Sequence, residues 1–175
     1  MLFLFLPLFA VQDGFVHWET PHVSPLALTS DGSRLLAVNT PDARLEVFAL
    51  GGGKPVSLGA IPVGLDPVSV RARSDDEVWV VNHVSDSISI VSLAGARVVA
   101  TLATDDEPCD VVFAGTPERA FVSCSQANTV LVFDPADRAA PPVRIPIRGE
   151  DPRALARSPD GTRVYAAIFE SGNRT

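Results

Sequence analysis

The residue types able to do chemistry are few in this chain, and they recur in a pattern. Acidic or polar residues stand directly before four regularly spaced prolines, at Ser24-Pro25, Asp66-Pro67, Glu107-Pro108 and Asp151-Pro152. Such an acid either caps the local turn by accepting backbone N–H bonds, or joins its counterparts in an electronegative rim that holds a cation or a basic ligand group. Of the three histidines, His22 lies just before the first of these prolines, His83 follows an apolar run of the second unit, and His17 precedes both. If His22 and His83 share a face they neighbour the rim acids, but two imidazoles fall short of the three or four protein ligands that zinc takes. Solvated loop histidines are the simpler expectation.

Cys109 and Cys124 complete the reactive inventory. Neither a C-x-x-C-H haem attachment nor a paired C-x-x-C zinc spacing occurs. The two read as small buried apolar side chains or, in an oxidising compartment, as a cross-strand disulfide. If the hairpin turns between Thr116 and Pro117, they stand opposite each other on neighbouring strands. A G-x-S-x-G nucleophile elbow, a phosphate loop and a dinucleotide fingerprint are all missing, so the residues offer no catalytic set and no evident cofactor. Asn173-Arg174-Thr175 has the form of a glycosylation acceptor.

The elements that must position these residues follow from the same prolines, which recur every forty-odd residues. Each opens a short alternating stretch, and a turn follows, as at Ser30-Asp31-Gly32-Ser33 and Ser158-Pro159-Asp160-Gly161. A second apolar run comes next, at 35–39, 78–82, 120–124 and 164–168, and then a third at 45–50, 88–93 and 130–134. A weaker, polar fourth closes the first three units at 54–63, 97–103 and 143–148. The runs alternate and are rich in Val, Ile, Leu and Phe, which suits pleated strands, and four strands per unit is the arithmetic of a β-propeller blade. With 15 Pro and 12 Gly in 175 residues, long helices are excluded.

The expected fold is therefore all-β: a propeller of four-stranded antiparallel blades, with about three blades and the first hairpin of a fourth in an open arc. The repeat units run over 23–64, 65–106, 107–149 and 150–175, within an incomplete propeller domain over 13–175. Residues 13–19 are a candidate strand for the last blade of a longer ring. Residues 1–12 are apolar at first and then polar, too short to span a bilayer, and read as a secretory signal; a buried first strand is the alternative. The net charge of −7 and the scattered basic residues lack the footprint a nucleic-acid backbone needs.

Val78-Trp79-Val80-Val81-Asn82, followed by Ser85-Asp86-Ser87-Ile88-Ser89-Ile90-Val91, resembles the YVTN-type β-propeller repeat. The stretch from Ser158 to Ala166 is similar to the opening hairpin of the same repeat, whereas Cys124 and Ile168 depart from it where the asparagine would stand. The resemblance implies an exported bacterial or archaeal protein of the periplasm or cell surface, and a scaffold that binds a protein, polysaccharide or small ligand on its rim. It also admits an enzymatic alternative, since some similar propellers hydrolyse lactones or feed electrons to a downstream haem or copper domain.

Overall fold

A computed structural model describes residues 20–170. The signal-like segment, His17, the candidate strand at 13–19 and the Asn173 acceptor lie outside the described residues. The first sheet comprises β1 (Leu26–Leu28), β2 (Arg34–Asn39), β3 (Arg44–Ala49) and β4 (Val56–Pro62). The second comprises β5 (Pro67–Ala72), β6 (Glu77–Asn82), β7 (Ser87–Ser92) and β8 (Arg97–Ala103). The third comprises β9 (Pro108–Ala114), β10 (Arg119–Cys124), β11 (Thr129–Phe133) and β12 (Val143–Pro146). A hairpin of β13 (Glu150–Arg157) and β14 (Val164–Glu170) follows. Every pairing between these strands is antiparallel and joins sequence neighbours, so each four-stranded sheet is a simple meander, and the sheets stand as propeller blades; an isolated parallel bridge links Ser24 to Ser69. No helix forms among the described residues, and none is long and apolar enough to cross a membrane.

The turns form where sequence chemistry asks for them. Asp31 accepts hydrogen bonds from the Thr29 hydroxyl at 2.6 Å and the Ser33 N–H at 2.9 Å, while Gly32 supplies a φ of 68° that a side chain would resist. The fourth unit repeats the device: Asp160 accepts from the Ser158 hydroxyl and from the Thr162 N–H at 3.0 Å, and Gly161 has a φ of 69°. These hydroxyl and amide donors pull the Asp31 carboxyl down to about 2 and lower that of Asp160 as well.

Packing explains why both faces of the middle strands are apolar. In β6, Val78 and Val80 face the first sheet in a core with Leu36, Leu45 and Ile61, while Trp79 and Val81 face the third sheet beside Val111, Val122 and Leu131. A strand covered on both sides loses the apolar/polar alternation of a half-exposed one. Trp79 is fully buried; it meets Phe113 edge-on at 5.3 Å and Phe133 at 6.4 Å, and donates its indole N–H to Glu77 at 2.8 Å. The third interface, around Val112, Val130 and Leu155, is smaller. On the first sheet Ala27 shares the covered face with Leu36, so Leu26 and Leu28 point the other way and are exposed.

The first strands of successive sheets pack on one another, β1 on β5, β5 on β9 and β9 on β13. They therefore line the axis, and their two ends define two mouths.

Candidate functional site

One mouth lies where the inner strands begin, and the pre-proline acids stand around it. Asp66, Glu107 and Asp151 share a left-handed backbone, with φ of 57°, 55° and 60°. That conformation is costly for a residue with a Cβ and is held only where surrounding contacts enforce it. Two of those contacts come from the preceding sheet: Asp86 Oδ1 accepts the Glu107 N–H at 3.0 Å, and Asn128 Oδ1 accepts the Asp151 N–H at 2.9 Å. Ala43 holds the matching position before β3 and has no side-chain oxygen to offer Asp66. The capping thus runs opposite to the sequence expectation. Among the described residues, none of the three acids accepts a backbone N–H on its carboxylate.

A second ring of side chains follows the second strand of each sheet. Thr40, His83 and Ser125 are equivalent here. The Thr40 hydroxyl donates to the Pro67 carbonyl at 2.7 Å, and His83 Nδ1 lies 3.1 Å from the Pro108 carbonyl. A carbonyl only accepts, so this contact places the proton on Nδ1. Nε2 then faces Glu107 Oε2 at 3.7 Å, and the Ser125 hydroxyl donates to the same carboxylate oxygen at 3.1 Å. Asp151 is 3.5 Å from Arg153. Glu107, Asp151 and Arg153, with Ser125, Gln126 and Asn128, line a polar cavity of about 450 Å³.

The structure brings some of the sequence candidates into contact. His83, Glu107 and Cys109 are neighbours, with Cys109 Sγ 3.8 Å from His83 Nδ1. His22 instead bonds Thr40 at 2.6 Å, next to the first sheet. Asp66 keeps one buried carboxylate oxygen without a partner. Among the described residues, no three His, Cys, Asp or Glu side chains come together as a metal-ligand set.

The cysteine expectation needs correction in one respect. The β9–β10 register follows the expected hairpin from Ala114↔Arg119 through Asp110↔Ser123, but a bulge then sets Cys124 opposite Pro108, and Cys109 falls in the irregular step. An extra residue on one strand displaces the next pair, so the two cysteines are not directly opposite. Both are buried free thiols. Burial raises the Cys109 thiol and pushes Cys124 up to about 12.

Sequence reading missed the most connected polar group at the axis, Asp110. Its side chain is fully buried. Oδ2 accepts from the Ser24 hydroxyl at 3.2 Å, Arg71 Nη2 at 3.2 Å and the Leu155 N–H at 3.0 Å, while Oδ1 takes the Val111 N–H at 2.9 Å. These donors come from all four units. Ser69 and Ser123 extend the clasp, donating to the carbonyls of Cys109 and Arg153 in the next inner strand. The available signal was an acid inside an otherwise apolar run, two residues after a repeated proline, where Ser69 stands in the second unit.

No protein-family model matches the chain, and no curated protein matches it. Among solved structures it is similar to hydrazine synthase from Kuenenia stuttgartiensis, with 24% identity over 90% of this chain and 45% of that one and a TM-score of 0.77. It is also similar to a 6-phosphogluconolactonase-like protein from Bacteroides uniformis, with 17% identity, 85% and 48% coverage and a TM-score of 0.71. A counterpart from Bacteroides fragilis gives 19% identity, the same coverage and a TM-score of 0.69. The chain spans about half the length of the solved structures it matches. At such identities the likeness carries the fold alone, and that fold is the β-propeller.

Proposed function

We propose that the chain is part of an exported, YVTN-type β-propeller that serves as a binding scaffold and takes its ligand at the mouth where the inner strands begin. The polar cavity beside Glu107, Asp151 and Arg153 carries this reading. It offers carboxylate acceptors together with amide and guanidinium donors, a mixture that suits a hydroxyl-rich or basic ligand such as a polysaccharide, a small polar molecule or a basic protein segment. The acids there are only partly engaged, so a ligand replaces solvent rather than a structural bond. Calorimetry of the full-length protein with neutral and amino-sugar oligosaccharides and with calcium tests it. The double variant Glu107→Gln, Asp151→Asn is expected to weaken binding about tenfold or more, at one charge-assisted hydrogen bond per site. Unchanged binding in the double variant overturns the assignment. Export rests on residues 1–12, and intact mass of material recovered from outside the cytoplasm checks their removal.

A second reading is favoured by the similarity to a hydrazine synthase and to lactonase-like proteins. In it the propeller belongs to a periplasmic enzyme or electron-transfer protein, with haem or copper held by another segment and His83–Glu107 as the acid–base pair at the mouth. Lactone hydrolysis lost in His83→Ala, or a haem spectrum from the full-length protein, would favour this reading over the scaffold.

A further inference from the structure

The sequence scatters its arginines, but the fold gathers three of them at the opposite mouth, where the inner strands end. Arg71, Arg73 and Arg157 line a cavity of about 420 Å³ together with Ser30, Phe113 and Glu118. Four residues of β5 lead from Pro67, beside the rim acids, to Arg71 at this cavity, about 13 Å at the usual rise per residue.

Each guanidinium has a different degree of freedom. Arg71 is fixed by the Val111 carbonyl at 3.2 Å, the Ser24 hydroxyl at 2.7 Å and Asp110 at 3.2 Å, which leaves Nη1 without a partner among the described residues. Arg73 is fixed by Glu118 at 2.7 Å and Glu77 at 3.2 Å, which leaves Nη2. The exposed Arg157 side chain has no hydrogen-bond or ion-pair partner among the described residues. Asp110 pairs with Arg71, Glu118 with Arg73, and Glu77 with both Arg73 and Arg138, while Asp160 is hydrogen-bonded by Ser158 and Thr162 and keeps its negative charge. The named charges therefore balance, and Arg157 is the guanidinium left without a contact partner among the described residues, with the Asp160 carboxylate on a neighbouring cavity wall. Beside Arg157 lies the Phe113 ring, whose position is held by its edge-on contact with Trp79.

We propose that this cavity binds a small organic anion, a carboxylate or phosphate monoester attached to a flat apolar group. The pre-fixed N–H groups of Arg71 and Arg73 receive the charge, Arg157 closes on it, and the apolar part rests on Phe113. Forks already held by their own acids lose little freedom when they bind, which favours a ligand presenting parallel oxygen acceptors.

Calorimetry of the full-length protein with benzoate and with phenyl phosphate tests the proposal and separates the two anion classes; acetate and inorganic phosphate report the share of the ring. At least one ring-bearing anion is expected to saturate and to bind more tightly than its ringless counterpart. Arg157→Ala is expected to weaken it about tenfold to a hundredfold, the worth of one charged hydrogen-bonding group, and Arg157→Lys to recover part of the loss. Glu107→Gln at the far mouth leaves it unchanged. The absence of saturable binding below about 10 mM, beyond the weak end of specific affinity, or wild-type affinity in Arg157→Ala, overturns the proposal.

Discussion

Glu107 and Asp110 stand three residues apart at the start of one inner strand, yet they obey opposite constraints. Asp110 is wholly enclosed; its Oδ2 is met by donors from the other three units and its Oδ1 by the Val111 N–H of its own strand. Glu107 leaves 45% of its side chain in solvent and has only a serine hydroxyl and a histidine for company. Burying a carboxylate costs several kcal/mol, on the order of 1–3 even for a polar group left unpaired, so the enclosed acid persists only because four units converge on it. The exposed acid carries no such obligation and is free to exchange water for a ligand. Propeller geometry makes both possible: along the axis neighbouring inner strands are close enough to share one side chain, and at the mouth the side chains of Glu107 and Asp151 reach solvent.

The comparison is broken most directly at Asp110. Asp110→Ala removes the acceptor for the Ser24, Arg71, Leu155 and Val111 groups at once and is expected to cost about 3–5 kcal/mol in urea unfolding, as for one partner of a buried ion pair. Glu107→Ala is expected to cost less than about 1 kcal/mol, the range of exposed pairs. Equal costs for the two would end the distinction. A smaller effect follows from Ser123→Ala, whose hydroxyl donates to Arg153 and accepts the Asp110 N–H at 3.1 Å. Its loss strands two backbone groups and is expected to cost about 1–3 kcal/mol. A neutral Ser123→Ala would mean that water replaces the clasp.

Much of this arrangement is legible in the sequence, and the part that is not has a physical cause. The strands of the second sheet read clearly because Val78, Trp79, Val80 and Val81 must satisfy cores on both sides. The rim acids read clearly because a proline marks the start of each inner strand. Asp110 did not, since its burial depends on Ser24, Arg71 and Leu155 arriving from units far away in the chain. The cysteine register failed for a more local reason: hairpin symmetry predicts every pair from Ala114↔Arg119 to Asp110↔Ser123, and no residue type announces the bulge that follows. Nor does sequence spacing show that Arg71, Arg73 and Arg157 share one cavity.

The backbone at Glu107 sharpens the comparison at lower cost. Its φ of 55° tolerates glycine and resists β-branching. Glu107→Gly is expected to leave stability within about 1 kcal/mol of the parent, relief of strain being offset by greater freedom of the unfolded chain, while Glu107→Val is expected to lose about 1–3 kcal/mol. Equal stability of the two variants in a thermal scan would show that the left-handed turn is not maintained in solution.

Cys109 sits between the two acids, and with Cys124 it gives the smallest and most selective test. Both thiols are buried, and burial in apolar surroundings disfavours the thiolate. For Cys124 the pKa rises from 9.0 to about 12, so the folded state holds the proton through a window in which the unfolded chain releases it. Below pH 9 both states are protonated and the contribution to stability is complete. Between pH 9 and 12 the unfolded state gains by ionising, and stability falls as pH rises. Cys124→Ala is expected to flatten that alkaline slope while lowering stability at neutral pH through the cavity it leaves. Alkylation at pH 8 is expected to be about a hundredfold slower in the folded protein than in urea, because the reactive thiolate is both scarce and enclosed. Titration in urea without reductant should then count two thiols. Rapid alkylation of the folded protein would mean that the interface between the second and third sheets opens readily, and that the enclosure argued for Asp110, one residue from Cys109, does not hold.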